Sequence, residues 1–227
     1  METKIAVIGL GYVGLPLALE FAKTFEVVGF DINSERVDQM KRQEDPSKEI
    51  PSSDFENRSI VFTDNAEDIK YCNLYIVAVP TPIGFGGTPN LIPLLSASRT
   101  VGSVISKGDC VVFESTVYPG CTEDDCIPII EAESTLHRTK DFSFGYSPER
   151  INPGDKNRKI CDIVKVVSGD TQKSSDMLAE LYGSIIHAGI HVASSVKVAE
   201  ASKVVENAQR DMNIAFANQL SMIFERI

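Results

Sequence analysis

The sequence predicts an α/β fold in which a doubly wound parallel sheet precedes one long C-terminal helix. Three features of the 227 residues support this fold class. Short runs rich in Val and Ile alternate with stretches of helical periodicity, as in folds that pack helices on both faces of a parallel sheet. A glycine-rich turn joins the first apolar run to the first helical stretch. From about residue 194 onward neither Gly nor Pro occurs, and apolar residues recur at helical spacing.

The predicted strands are short and mostly apolar, which is typical of strands buried on both faces of a parallel sheet. They fall at residues 5–8, 26–31, 60–62, 74–79, 110–114, 142–146 and 164–168. Predicted helices occupy residues 14–24, 34–42, 91–106 and 171–182 between them. Residues 43–58 are polar and contain two prolines, so we expect a surface excursion there rather than an element of the sheet.

Composition and charge narrow the classes of partner. The chain is 43% hydrophobic, enough to bury a sizeable core, and its formal net charge of −10 is spread along its length. Diffuse negative charge disfavours nucleic acid and anionic membranes as partners. No apolar run predicts a membrane span or a secretory signal. The five cysteines form no CxxC pair, which favours reduced thiols in the cytoplasm and predicts no metal site.

The glycine-rich turn GLGYVG lies between a strand and a helix, and Asp31 ends the next strand. In this context the GxGxxG pattern predicts a Rossmann dinucleotide site, with a pyrophosphate on the helix N-terminus. The first glycine permits the tight turn, the second the approach of the pyrophosphate, and the third close packing of helix on strand. Asp31 would accept hydrogen bonds from ribose hydroxyls and repel a 2′-phosphate, so the predicted cofactor is NAD rather than NADP. The predicted cofactor contacts in the turn are Gly9, Gly11, Tyr12, Val13 and Gly14.

The long terminal stretch predicts a helix of about thirty residues, or roughly 45 Å. It reaches the last residue without a stop signal, which we interpret as truncation inside a second domain. We therefore predict an NAD-binding domain at residues 1–193 and the start of a central helical domain at residues 194–227. An apolar stripe on so long a helix is expected to mediate homodimer formation.

Five motifs appear in order along the chain. They are GLGYVGLP at residues 9–16, VPTP at 79–82, ESTVYPG at 114–120, YSPERINPGD at 146–155 and VAEASKVVENAQRDMNIAFAN at 198–218. Together they resemble the UDP-glucose/GDP-mannose dehydrogenase family of nucleotide-sugar 6-dehydrogenases, over essentially the whole chain. The SPERINPGD segment resembles the branch that acts on UDP-N-acetylglucosamine or UDP-N-acetylgalactosamine in bacterial surface-polysaccharide synthesis.

The resemblance implies a four-electron oxidation of the sugar C6 alcohol to a carboxylate, with two hydride transfers to NAD+. It also implies a cysteine that traps the aldehyde as a thiohemiacetal, which is oxidised to a thioester and hydrolysed. Lys203 and Asn207 lie four residues apart and share one face of the predicted helix. An ammonium and a carboxamide suit an oxyanion developing at C6. A solvated polar helix face is the alternative explanation of both residues.

Most of the other implied site residues follow predicted strands, where α/β sheets bind ligands. Arg36 does not, and the resemblance places it near the adenosine ribose. The resemblance implies that Glu149 acts as general base for hydrolysis, with Thr116 beside it around a catalytic water. Thr81 and Thr116 are expected to contact the cofactor. The alternative explanation is a solvated charge for Glu149 and Arg36. It is an ordinary strand-end hydroxyl for Thr116 and a rigid turn for Thr81. The implied substrate contacts are Glu149, Arg150, Lys203 and Asn207.

The family nucleophile lies in a segment of the form GxGFGGxC beyond the long helix, and none of the five cysteines has that context. Residues 84–87 (GFGG) imitate part of it, but Thr and Pro follow, so we predict a turn. We therefore expect the chain to lack the catalytic cysteine and the UDP-binding domain, and to bind NAD without turnover. Two alternatives stay open: a beta-hydroxyacid-type NAD dehydrogenase that stops after one hydride transfer, and a non-catalytic NAD-binding module.

Overall fold

The computed structural model describes residues 2–150 and 160–227. Its strands are β1 (Lys4–Ile8), β2 (Glu26–Phe30), β3 (Ile60–Thr63), β4 (Leu74–Val77), β5 (Cys110–Phe113), β6 (Ser143–Tyr146), β7 (Lys165–Gly169) and β8 (Ile190–Val192). Its α-helices are α1 (Gly14–Phe21), α2 (Ser34–Lys41), α3 (Ile92–Val104), α4 (Ile127–Ser134), α5 (Gln172–Gly183) and α6 (Val196–Phe224). Short 3-10 turns interrupt the loops, and a π-helical turn at Thr122–Cys126 leads into α4.

The strands form one sheet in the order β3-β2-β1-β4-β5-β6-β7-β8, and β1 to β6 are parallel. This is the doubly wound order, in which ligands bind at the carboxyl ends of the strands near the point where the order reverses, here between β1 and β4. The predicted α/β Rossmann-type fold is confirmed, as is the long C-terminal helix. Four of the five residues of β1 and all residues of β4 and β5 are buried, which explains their near-continuous apolar sequence.

Strand β7 runs antiparallel to β6, with Tyr146 opposite Ser168. The expectation of a wholly parallel sheet is therefore wrong at this strand. A parallel neighbour would require a crossover back to the far edge of the sheet, whereas an antiparallel strand begins at the edge where its predecessor ends. We call the edge at which the parallel strands end the carboxyl edge of the sheet. Lys165, the first residue of β7, consequently lies at this edge, beside the ends of β5 and β6.

Two elements were not predicted from the sequence. Strand β8 has three residues, two of them exposed, and pairs with β7. Helix α4 follows the acidic π-helical turn and carries Pro128 in its first turn. Strand β8 is too short for a sequence pattern to detect, and α4, although as long as α1 and α2, lacks a clear apolar periodicity.

The core has two apolar clusters, one on each face of the sheet. Helices α3 and α4 and the first turn of α6 cover one face, and α1, α2 and α5 cover the other. The buried residues of α6 all lie in its first two turns, and most side chains beyond them are exposed. No helix among residues 2–150 and 160–227 is long and apolar enough to cross a bilayer.

Candidate functional site

The glycine turn between β1 and α1 is shaped by close backbone contacts. A Cβ on Gly14 would lie 1.9 Å from the carbonyl oxygen of Gly9, and Gly9 itself has φ +90°. A Cβ on Gly11, in contrast, would meet no atom within 4 Å. No described side chain caps α1, whose N-cap residue is Val13. The turn therefore presents open backbone at a helix N-terminus, and this shape fits a dinucleotide pyrophosphate.

Asp31 and Arg36 both contact this turn. Asp31 Oδ2 accepts a hydrogen bond from the backbone N–H of Leu10 at 2.8 Å, and Oδ1 accepts one from Asn33 at 3.0 Å. Arg36 Nε donates to the carbonyl of Leu10 at 3.0 Å. A carboxylate oxygen has more than one lone pair, so Asp31 retains acceptor capacity for ribose hydroxyls. Tyr12, next along the turn, is half-exposed.

The loops after β4 and β5 are joined by side-chain hydrogen bonds. Thr81 Oγ1 donates to the carbonyl of Thr116 at 2.7 Å, and Ser115 Oγ donates to the carbonyl of Val79 at 2.6 Å. The side chain of Thr116 is exposed at the carboxyl edge. The two predicted cofactor-contacting threonines are thus brought together in the structure.

Glu149 lies in the loop after β6 and is buried, with 6% of its surface exposed. Its Oε1 accepts a hydrogen bond from the backbone N–H of Arg150 at 2.6 Å. Lys203 on α6 donates from Nζ to the backbone carbonyl of Glu149 at 2.5 Å. Burial lowers the pKa of the Lys203 ammonium from its ordinary value. Three residues predicted separately, Glu149, Arg150 and Lys203, therefore meet where α6 crosses the carboxyl edge of the sheet.

The side chains of Arg150 and Asn207 have different surroundings. Arg150 Nε lies 3.3 Å from a carboxylate oxygen of Glu206 on α6, an ion pair that sequence reasoning did not anticipate. Asn207, one turn after Lys203, is exposed. The second part of the SPERINPGD motif, residues 151–155, lies outside the described residues.

Sequence reasoning missed a buried charged cluster beside Glu149. Lys165 Nζ lies 2.7 Å from Glu114 Oε2 and 3.7 Å from Glu149 Oε2, and Tyr182 donates its hydroxyl to Glu114 Oε1 at 2.5 Å. Burial raises the pKa of Glu114, and the charge of Glu149 raises it further. Burial alone would lower the pKa of Lys165, but the two carboxylates outweigh it and the net shift is upward. The available signal was a charged residue at the end of an apolar run at Glu114, and a charged residue inside an apolar run at Lys165.

Glu200 is a second missed residue. It is fully buried on the first turns of α6, and its carboxylate accepts backbone hydrogen bonds from Gly120 at 2.5 Å and Thr122 at 2.9 Å. These bonds tie α6 to the loop that follows β5 and ends at the π-helical turn. An acidic residue on the apolar side of the helix was the sequence signal.

Two family models match the chain. Residues 3–186 match the UDP-glucose/GDP-mannose dehydrogenase family, NAD binding domain, and residues 197–227 match the central domain of the same family. The first match covers more than half of the chain and contains the glycine turn, Asp31 and Glu149.

Individual proteins of known name are also similar. The chain is 52% identical over 227 residues to UDP-N-acetyl-D-glucosamine 6-dehydrogenases of Salmonella typhi and Pseudomonas aeruginosa, covering 53% and 54% of them. It therefore spans about half the length of these curated relatives. Among solved structures, a UDP-D-ManNAc dehydrogenase from Pyrococcus horikoshii superposes with a TM-score of 0.87 at 32% identity, over 97% of this chain and 54% of that one. An NDP-N-acetyl-D-galactosaminuronic acid dehydrogenase from Methanosarcina mazei superposes with a TM-score of 0.88 at 31% identity, over 97% and 50%.

Proposed function

The chain belongs to the UDP-glucose/GDP-mannose dehydrogenase family and carries its NAD-binding domain, and we propose that it serves an enzyme oxidising the C6 alcohol of a UDP-N-acetylhexosamine to a carboxylate. The product would be a precursor for surface polysaccharide. The observation that carries this proposal is the meeting of Glu149 and Lys203 at the carboxyl edge of the sheet that holds the glycine turn. The names of the 52% identical relatives support the substrate class.

The proposed cofactor contacts are the glycine turn, Asp31, Arg36, Thr81 and Thr116. NAD+, when bound, supplies the acceptor for the hydride that leaves C6. The open side of Gly11 gives the pyrophosphate room, and Asp31 selects the ribose hydroxyls. Calorimetric titration should show tighter binding of NAD+ than of NADP+, and Asp31→Ala should narrow the difference. Asp38→Ala, which removes an exposed carboxylate from α2, is the matched control. Equal affinities in the unmutated protein would contradict the role of Asp31.

Lys203 and Asn207 are proposed to stabilise negative charge at the C6 oxygen. An ammonium has three N–H donors, and Lys203 uses one on the carbonyl of Glu149, which leaves donors for the substrate. Partial burial strengthens its attraction to a developing oxyanion, because the local dielectric is lower than that of water. Glu149, with Thr116, is proposed to hold and deprotonate the water that hydrolyses the thioester. Arg150 is proposed to contact the substrate beside Glu206.

Product stoichiometry tests the proposal against its two rivals. The full-length protein should form two NADH per UDP-N-acetylglucosamine or UDP-N-acetylgalactosamine, with a higher kcat/KM than for UDP-glucose. A beta-hydroxyacid-type enzyme would form one NADH per substrate, and a binding module none. Glu149→Gln should abolish release of the uronic acid. A clear preference for UDP-glucose or GDP-mannose would contradict the substrate class.

For the 227-residue chain alone we propose NAD binding without sustained turnover. Formation of the uronic acid by this chain after replacement of all five cysteines by Ser would overturn that proposal.

We also propose that residues 1–193 and 194–227 belong to separate domains, and that the protein forms a homodimer through α6 in the cytoplasm. Several apolar side chains on the last half of α6 are exposed, and Met212, Phe216 and Ile223 among them share one helix face. A stripe of this kind is costly to leave in water. All five cysteines are unpaired in the described part of the chain, which suits a reducing compartment. Light scattering should give twice the protomer mass, and a strict monomer at high concentration would contradict the dimer.

A further inference from the structure

We propose that Lys165 is a positioning residue for Glu149, holding the Glu149 carboxylate and its loop in the orientation that the reaction uses. The inference rests on the proposed role of Glu149 in hydrolysis. Lys165 reaches this place because β7 runs antiparallel to its neighbour β6, so that its first residue emerges at the carboxyl edge. In a parallel strand the same residue would lie at the opposite edge of the sheet.

The ammonium of Lys165 contacts two elements at once. Nζ lies 2.7 Å from Glu114 Oε2 at the end of β5. In the loop after β6 it lies 3.5 Å from the carbonyl of Pro148 and 3.7 Å from Glu149 Oε2. Its donors thus bridge the fixed end of one strand to the loop that carries the proposed base. Backbone and carboxylate of that loop are both within its reach.

Glu114 and Tyr182 fix the position of the Lys165 ammonium. Glu114 receives Lys165 on one oxygen and the Tyr182 hydroxyl on the other. The Tyr182 ring also lies 5.4 Å from Lys165 Nζ, within the range of a cation–π contact. Lys165 and Glu114 are 3% and 1% exposed, and Tyr182 is fully buried. The ammonium is therefore fixed from β5 and α5, and its other contacts are with Pro148 and Glu149 in the loop after β6.

Stability alone does not account for this cluster. Taking an ammonium and a carboxylate out of water costs about as much as their attraction returns, and apolar residues of similar volume often serve as well. A buried ion pair that touches a proposed catalytic group is better explained by what it orients. Lys203 contacts the backbone carbonyl of Glu149, whereas Lys165 and the Arg150 N–H contact its carboxylate.

The test compares two charge-neutral double variants in the full-length protein. Lys165→Met/Glu114→Gln removes the buried pair without leaving one partner unpaired. Lys4→Met/Glu26→Gln removes a 2.6 Å ion pair that joins the first residues of β1 and β2 at the opposite edge, where both side chains are about half exposed. Glu149→Gln, measured in parallel, reports on the proposed function independently. The measurements are the melting curve, kcat, the KM values for UDP-N-acetylglucosamine and NAD+, and a crystal structure of each double variant.

We expect the Lys165/Glu114 variant to fold, to keep KM for the sugar and NAD+ near wild type, and to lose about ten- to a hundredfold in kcat through displacement of Glu149. The Lys4/Glu26 variant should retain wild-type kcat. A folded Lys165/Glu114 variant with wild-type kcat, or with Glu149 in its wild-type position, overturns the proposal. So does failure of that variant to fold, since the pair would then be a stability element. If Glu149→Gln retains kcat, the proposed function fails instead, and the crystallographic position of Glu149 still decides whether Lys165 positions it.

Discussion

Replacing Glu200 by Ala should detach the start of α6 from the loop that follows β5. The carboxylate of Glu200 is the acceptor for the backbone N–H groups of Gly120 and Thr122, and all three residues are buried. Removal of the side chain leaves two buried donors without a partner. Each such group costs about 1 to 3 kcal/mol, so the local structure should lose about 2 to 6 kcal/mol.

Amide hydrogen exchange measures this loss where it occurs. A loss of about 2 kcal/mol corresponds to roughly a 30-fold higher population of the open state, so exchange at Gly120 and Thr122 should accelerate at least about 30-fold. Glu200→Gln keeps one acceptor oxygen but turns an amide N–H₂ toward the other donor, and should recover only part of the protection. Because α6 also carries Lys203, turnover by the full-length protein should fall with Glu200→Ala.

Asp211→Ala is the matched control, because it removes an exposed carboxylate from the same helix. Its exchange at the loop amides should equal that of the wild type. Wild-type protection at Gly120 and Thr122 in the Glu200→Ala protein would refute the reasoning. It would mean that water or another group satisfies these donors without the carboxylate.

Further predictions concern the glycine turn and one buried acid. A Cβ on Gly11 would meet no protein atom within 4 Å, so Gly11→Ala should leave the melting temperature unchanged. The added methyl group would occupy the space proposed for the pyrophosphate, so calorimetry should show at least about tenfold weaker NAD+ binding. Gly14→Ala would place Cβ 1.9 Å from the carbonyl oxygen of Gly9, so it should lower both the NAD+ affinity and the melting temperature. Equal effects of Gly11→Ala and Gly14→Ala on these two quantities would contradict the prediction. Burial raises the pKa of Asp109, so the stability it contributes is present at low pH and is lost as pH rises. Asp109→Asn, which can still accept from Ser106, should gain in melting temperature over wild type from about pH 4 to 7, and parallel curves would refute it.

The sequence alone determined the features that depend on neighbours along the chain. Apolar runs predicted seven of the eight strands, because burial on both faces demands apolar residues at consecutive positions. The strand–GxGxxG–helix pattern predicted the dinucleotide turn, whose constraints act between residues 9 and 14. The glycine turn with Asp31 predicted NAD, five ordered motifs predicted the family, and both predictions are confirmed by the match over residues 3–186. The roles of the individual site residues stay predictions.

Only the tertiary structure decided the direction of β7 and the partners of the buried charges. Glu114 meets Lys165 51 residues away and Tyr182 68 residues away, and Glu200 meets Gly120 80 residues away. Contacts over such separations leave no local periodicity in the sequence. The sequence pattern around a Lys that opens a Val-rich strand is the same whether its side chain faces water or a carboxylate. The cost of burying a charge is met by groups that the sheet order brings together. That order is a property of the packed fold, which no single segment of the chain encodes.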